Sequence, residues 1–330
     1  PDRRPVRGED QLIDWLRKRA EARGWHLIGD DAASLPAAPY LVTVDTQIAG
    51  VHFPPDLEPR RLARRLLAVN LSDLAAMGAE PAYAFLALSA PRDFAHVDFF
   101  RGLFAACDQH GVELAGGDLS TQPRITAALT LHGRPGAHVL RRGDAEPGHR
   151  LYLGGPVGES ALGCRLLLEG ATLEDDRLHI PARLKVRAAE RPAADAAVRR
   201  HLEPRPQLAL GAWLAERGAG AAIDLSDGLS RDLHRLCRAS DVGAVVDMNA
   251  LAAEAPLESL ARRLGTTWRD AALAGGEDYV LLFTLPESVT PPPWSRARAI
   301  GTVTEDRAIR LRHTDGTTVD LPPAGWDHLA

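Results

Sequence analysis

The sequence predicts a mixed fold of the α/β (α+β) class, built as two domains. Two observations carry this. Short apolar runs of strand type alternate with helix-period segments along the whole chain. A stretch dense in Gly, Pro and charge, residues 133–148, divides the 330 residues into parts that can each bury a core. We therefore read domains over 1–140 and 141–330. The bulk figures agree, with 45% apolar and 25% charged residues, the usual globular balance.

In order, Leu12, Ile13, Leu16 and Ala20 recur at helical spacing within residues 9–23. Strand-like runs follow at 26–28 and 40–44. A helix is expected over 60–77, entered after Pro59 and stopped by Gly78. Residues 82–88 read as a strand, 93–110 as a helix stopped by Gly111, and 112–115 and 124–131 as strands. Past the boundary, a strand is expected at 150–153 and a helix at 159–168. Residues 169–206 carry four prolines and many charges, and read as irregular with surface helices. A helix to Arg217, a strand at 221–224, a helix at 229–239 and a strand at 244–247 follow. Helical pieces fill 256–273, then come a strand at 279–284 and short strands after 297.

Composition excludes several activities. The formal net charge is -5, so no broad basic surface is available for a nucleic-acid backbone. All but Lys18 and Lys185 of the 39 basic residues are arginine. No lysine sits in a glycine-rich loop, which removes the P-loop and protein-kinase solutions to ATP binding. The cysteines Cys107, Cys164 and Cys237 form no C-x-x-C pair and read as thiols in a reducing compartment. No apolar run reaches the length of about 18 residues that a membrane span needs. The opening Pro1-Asp2-Arg3-Arg4 has no apolar signal core, so a cytoplasmic protein is expected.

The informative pattern is aspartate beside small residues at expected strand or helix ends. It occurs in Gly29-Asp30-Asp31-Ala32, Thr43-Val44-Asp45-Thr46, Asn70-Leu71-Ser72-Asp73, Gly116-Gly117-Asp118, Asp224-Leu225-Ser226-Asp227-Gly228 and Gly275-Gly276-Glu277-Asp278. Taken singly, each reads first as a turn or a helix cap. Together they suit Mg²⁺ and phosphate, because hard dications take oxygen donors and glycine admits close backbone approach. A strand-to-helix turn such as 224–228 also favours phosphate. With so few lysines, metal ions would neutralise a triphosphate. Asp73 falls inside a helical pattern, where aspartate is mildly unfavourable.

These segments, with Gly50-Val51-His52-Phe53, the run Asn70 to Ala79, and the outlying Gly8-Glu9 and Gly325-Trp326-Asp327-His328, occur in this order in the thiamine-monophosphate kinases. The chain resembles that family over nearly its whole length. Gly-Gly-Asp and Ser-Asp-Gly are shared more widely with the aminoimidazole-ribotide synthetase superfamily. The resemblance implies that superfamily's two-domain fold, with an N-terminal sheet at a homodimer interface and a C-terminal mixed α/β domain completing the active site. It implies ATP and several Mg²⁺ ions, and direct in-line transfer of the γ-phosphoryl group to thiamine monophosphate. Metal would be held by Asp31, Thr43, Val44 (through its backbone), Asp45, Asp73, Asp118, Asp224 and Asp227. ATP would meet His110, Gly117, Asp118, Arg142 and Ser226. His52 and Glu277 would contact thiamine monophosphate, and Trp326 would stack on its rings.

The chain departs from the family pattern at a few positions. Histidine replaces an aromatic at His110, Asp144 stands where glycine is usual, and His149 where aspartate is usual. Ala49 and Val280 each replace a common glutamate. Other readings are less well matched. A selenophosphate synthetase would carry a reactive cysteine near its start, whereas the first here is Cys107; a hydrogenase-maturation enzyme would end in cysteine, whereas this sequence ends in Ala330. A non-catalytic nucleotide sensor has no need for so many acidic ligands.

Overall fold

The computed structural model describes residues 9–25, 39–218 and 220–326, with side chains from Trp15 onward. It divides into two compact units. The first takes the chain up to Leu74 together with Glu80–Pro135; the second takes Ala75–Ala79 and the chain from Gly136.

The first unit contains α1 (Glu9–Glu21), β1 (Leu41–Ile48), most of α2 (Pro59–Ala76), β2 (Ala79–Ala90), α3 (His96–His110), β3 (Glu113–Thr121) and β4 (Thr126–Pro135). Its sheet has the order β1-β4-β2-β3, so β1 and β3 are the two edges. β1 runs antiparallel to β4, and β2 parallel to β3. The strands at 41–48 and 113–121 are longer than their apolar cores suggested, because polar residues continue both ladders. Gly102 on α3 explains how closely that helix meets α2, since a Cβ there would stand 2.6 Å from the Arg60 carbonyl oxygen. Leu62, Leu66, Leu67 and Leu71 of α2 and Phe99, Leu103 and Phe104 of α3 are completely buried. The expected strand at 26–28 lies outside the described residues.

The second unit carries β5 (Arg150–Leu153), α4 (Glu159–Leu168), β6 (Thr172–Glu174), β7 (Arg177–His179), α5 (Arg191–Leu202), α6 (Leu208–Arg217), β8 (Ala222–Asp224) and α7 (Leu229–Ser240). It continues with β9 (Gly243–Asp247), α8 (Ala255–Arg263), α9 (Trp268–Ala274), β10 (Leu281–Leu285), β11 (Arg298–Thr304), β12 (Ile309–Arg312) and β13 (Thr318–Asp320). Seven strands form one sheet in the order β13-β12-β9-β11-β5-β10-β8. Tyr152 and Phe283 face each other across β5 and β10, stacked with ring centroids 5.5 Å apart. They belong to a core that also takes Leu210 and Leu214 from α6. Cys107 and Cys237 are buried, and Cys164 is partly buried; all three are free thiols. No helix among the described residues is long and apolar enough to cross a membrane.

Residues 169–206 hold a helix, as expected, but are more ordered than the irregular reading. They hold the β6–β7 hairpin, turned at Asp175 and Asp176 with φ of 46° and 59°, and the twelve-residue helix α5. Helix α5 is half buried through Ala194, Ala197, Val198 and His201. That is an i, i+3, i+4, i+7 stripe, but its small and polar residues give it little hydrophobic contrast. α5 packs closely on α4, because Gly163 leaves room for the α5 backbone; a Cβ at 163 would stand 2.1 Å from the Ala197 carbonyl oxygen. We predict that Gly163→Ala, which overfills this contact, destabilises the protein by about 1–3 kcal/mol. Urea unfolding measures it; an unchanged midpoint would mean that α4 and α5 do not meet this closely.

Candidate active site

Two groups of residues stand out, one in each unit. In the first, the pleat of β1 alternates its side chains between faces. Thr43, Asp45 and Gln47 point toward α2, while Val42, Val44 and Thr46 are exposed on the other face. Each inward residue has a partner on α2. Thr43 Oγ1 donates to Asp73 Oδ2 at 2.5 Å, Asp45 N–H donates to Asn70 Oδ1 at 3.2 Å, and Arg65 Nε donates to Gln47 Oε1 at 3.0 Å. Asn70 and Asp73 are three apart and so share a helix face. This explains an aspartate in a helix interior: Asp73 is turned to the strand. Burial, and then the neighbouring Asp73 charge, push the Asp45 carboxyl up to about 7. The pair therefore shares a proton near neutrality.

The other positions singled out in this unit stand apart. Gly116-Gly117-Asp118 lies inside β3 and not in a terminal turn. The β2–β3 register shifts by one residue between Ala84 and Phe85. A Cβ on Gly117 would fall 1.9 Å from the Leu86 carbonyl oxygen, so only glycine fits. β4 and β2 separate Asp118 from Asp45, on the order of 14 Å for three strand spacings. The structure does not bring Asp118 to the Asp45–Asp73 pair. Val44 presents its backbone on β1 and its side chain on the opposite face from Asp45. His52 follows β1 in a tight loop. Its Nδ1 accepts the Ile48 N–H at 3.1 Å, which leaves the proton of the neutral ring on Nε2. His110 ends α3 before Gly111, and burial lowers its imidazole pKa. Asp31 lies outside the described residues.

In the second unit, Asp224 ends β8, Gly228 caps α7, and the turn between them collects two other segments. The Glu277 N–H donates to the Ser226 carbonyl at 2.7 Å and the Tyr279 N–H to the Leu225 carbonyl at 2.9 Å; the Trp326 N–H donates to the Asp227 carbonyl at 2.9 Å. Glycine is needed at the contacts. Gly276, with φ of 71°, would carry a Cβ 2.8 Å from the Ser226 oxygen, and Gly325 one 2.2 Å from the Asp227 oxygen. Glu277 itself adopts φ of 55° and Tyr279 48°, a conformation that side chains seldom take without being held. Next to Glu277, the buried carboxylate of Asp278 accepts the Gly158 N–H through both oxygens, at 3.1 and 2.9 Å. It thereby caps the N-terminus of α4, although burial raises its pKa to about 7. Ser226, Asp227, Glu277 and Trp326 are thus brought together, with Trp326 54% exposed.

Several neighbours carried little or no sequence signal. Arg235 Nη1 pairs with Asp227 at 2.6 Å and with Asp232 at 2.7 Å. Asp232 Oδ2 also accepts the Asp227 N–H at 3.0 Å, and burial pushes its carboxyl up to about 6. The i, i+3 spacing of Asp232 and Arg235 on α7 was the available hint. His201, on α5, had none. Arg142 is exposed, and its carbonyl accepts the Ser240 hydroxyl at 2.8 Å. The unusual His149 turns inward, with its Nδ1 3.4 Å from both the Glu146 N–H and Thr284 Oγ1. It closes the 146–149 turn as a packing residue. Among the described residues, no three His, Cys, Asp or Glu side chains gather as a metal site.

A paired carboxylate site on an N-terminal sheet, followed by a glycine-pinned strand-to-helix turn, defines a class that the comparisons identify. Residues 29–134 match AIR synthase related protein, N-terminal domain, and residues 146–314 match AIR synthase related protein, C-terminal domain. Thiamine-monophosphate kinase of Escherichia coli is 38% identical over 92% of this chain and 91% of its own length. That of Synechococcus elongatus is 35% identical over 98% and 96%. The crystal structure of thiamine-monophosphate kinase from Stenotrophomonas maltophilia superposes with a TM-score of 0.77 at 35% identity, covering 93% of this chain and 96% of that one. AaThiL complexed with AMPPCP and TMP gives 0.75 at 29% identity, covering 97% of both. The chain belongs to the thiamine-monophosphate kinase family. Hydrogenase maturation protein HypE in complex with ATP shares the fold, with a TM-score of 0.74 at 16% identity and coverage of 98% and 96%.

The raised Asp45 carboxyl gives a pH signature. Above the ordinary carboxylate range and up to about 7, the folded chain keeps a proton that the unfolded chain has released. Metal-free stability therefore falls as pH rises through that window and levels off above it. We predict that Asp73→Asn, which removes the facing charge, flattens this fall in urea titrations between about pH 4 and 8. The same slope in both proteins would remove Asp73 as a cause.

Proposed function

We propose that this protein is an ATP-dependent thiamine-monophosphate kinase that makes thiamine diphosphate and ADP in thiamine diphosphate biosynthesis. The observation that carries the reading furthest is the turn 224–228. It gathers Ser226, on the ATP side of the proposal, with Glu277 and Trp326, on the acceptor side, through backbone bonds of 2.7 and 2.9 Å. Family membership over more than nine-tenths of the chain supports the same activity.

The acceptor is a phosphate already ionised at neutral pH, so its oxygen attacks the γ-phosphorus of ATP in line without a general base. Positioning and charge compensation are then the protein's main tasks. Thr43, Asp45 and Asp73 offer hard oxygen donors in contact, with a shared proton where a dication would otherwise sit. They fit one Mg²⁺, beside the Val44 backbone, while Asp118, Asp224, Asp227 and Asp31 are proposed as ligands of other ions in the set. Bound there, Mg²⁺ would neutralise phosphate charge in a chain that has two lysines. Asp227 would have to share its carboxylate with Arg235.

Gly117 and Ser226 bring backbone close to the nucleotide, together with Asp118, Arg142 and His110. His52 donates from Nε2 to the acceptor's phosphate, Glu277 answers its cationic heterocycle, and the exposed Trp326 ring stacks on it. The first domain would hold ATP, metal and the dimer contact, and the second would complete the acceptor site. On the outer face of the first unit's sheet, Val42 and Val44 are 55% and 59% exposed. A second copy covering that face would give a homodimer. We place the protein in the cytoplasm with its nucleotide.

The test is incubation with ATP, Mg²⁺ and thiamine monophosphate. Equimolar ADP and thiamine diphosphate are expected, and no product would reject the reading. Asp73→Asn should lower kcat by roughly 10²-fold or more with the fold retained; near-normal turnover would take Asp73 out of the metal site. Light scattering should report about twice the chain mass of 35.5 kDa, and a monomer would refute the dimer.

A further inference from the structure

The backbone of Glu277 is held without any help from its own side chain. Its N–H is bound by the Ser226 carbonyl, and the next residue, Asp278, is anchored on the N-terminus of α4. The carboxylate has a separate partner. His201 Nδ1, on α5, lies 3.2 Å from Glu277 Oε2 and 3.1 Å from Ser160 Oγ on α4. The His201 side chain is 4% exposed and that of Glu277 25%. A bare imidazole lone pair facing a carboxylate would be repelled, so Nδ1 carries the hydrogen and donates it. Ser160, fully buried, shares the same nitrogen and keeps the ring from turning.

We infer that His201 is the positioning residue of Glu277. Its Nδ1–H fixes Oε2 and so sets where the carboxylate lies in a side chain that is still 25% exposed. The inference rests on the reading above that Glu277 meets the phosphate acceptor, and it assigns a reason for acceptor preference. A carboxylate held at one oxygen by a ring N–H presents its other polar atoms in a fixed place. Such a group favours a cationic heteroaromatic acceptor over a neutral one of the same shape. His201 touches neither nucleotide nor acceptor in this scheme and acts only through Glu277.

The experiment compares His201→Phe, which keeps a ring and loses the donor, with His201→Asn, whose amide nitrogen can occupy the Nδ1 position. In His201→Phe the KM for thiamine monophosphate should rise about tenfold or more, with kcat within about threefold and the KM for ATP unchanged. His201→Asn should stay within about threefold of the parent, and His201→Phe should add nothing in a Glu277→Ala background. The inference is overturned if His201→Phe keeps the parental acceptor KM, if both substrates' KM values rise together, or if Asn rescues nothing. Imidazole ¹⁵N spectra of the unaltered protein give an arm independent of turnover and of variant folding. An Nδ1–H tautomer for His201 supports the inference, and an Nε2–H tautomer defeats it. Absence of thiamine diphosphate in the parent would sink the kinase reading alone, and the spectra would still decide the His201–Glu277 contact.

Discussion

The second unit depends on a carboxylate placed where carboxylates are costly. Asp278 is almost fully buried, and its environment favours the protonated form. What keeps it there is the N-terminus of α4, whose Gly158 N–H meets both of its oxygens. Free helix N–H groups and the positive end of the helix dipole compensate the burial. Together with the Ser160 backbone N–H, that contact ties the 275–279 segment to α4. The Ser226 and Leu225 carbonyls tie it to the 224–228 turn. Between the two anchors, Glu277 has no freedom except in its side chain, which is the part His201 engages. Glycine at 276 and 325 is a condition of the arrangement, because either Cβ would strike the turn.

The first unit solves a related problem in another way. Asp45 and Asp73 face each other with the Thr43 hydroxyl alongside. The result is a proton held well above its usual pH range. Strain of this kind is what a binding site stores before its ligand arrives. In the second unit Asp227 is instead neutralised by Arg235. Thus two of the proposed acidic ligands wait as a protonated pair, and a third waits in an ion pair.

Much of this was legible in the sequence. The helices at 60–77 and 159–168 announced themselves through period and stop signals, and the acidic segments pointed to Asp45, Asp73 and the 224–228 turn, the two groups that stand out in the structure. What escaped has physical reasons. The stripe of α5 is made of alanine, valine and histidine, so its hydrophobic contrast is too small to read. The glycines at 116 and 117 looked like a turn because glycine usually serves one, yet they lie inside β3, where Gly117 lets it pass the β2 backbone. The aspartates carried no information about their own partners, since Thr43, Asn70, Arg235 and Asp232 become neighbours only through pleat and helix pitch. That Asp118 and Asp45 occupy opposite edges of one sheet is a matter of strand order, which one-dimensional spacing does not encode.

The two faces of β1 serve different ends with no loop between them. Thr43 and Asp45 face the helix, and Val42 and Val44 face outward from the same eight residues. A strand has a period of two, so losing or gaining one residue would exchange the faces. Valines would then crowd the carboxylate of Asp73, and Thr43 and Asp45 would be turned out among the exposed residues of the sheet. Length change in this strand is therefore forbidden twice over, whereas substitution on either face remains open. Any relative that alters the outer valines must do so by exchange of side chains, with the count of residues from Leu41 to Ile48 held constant.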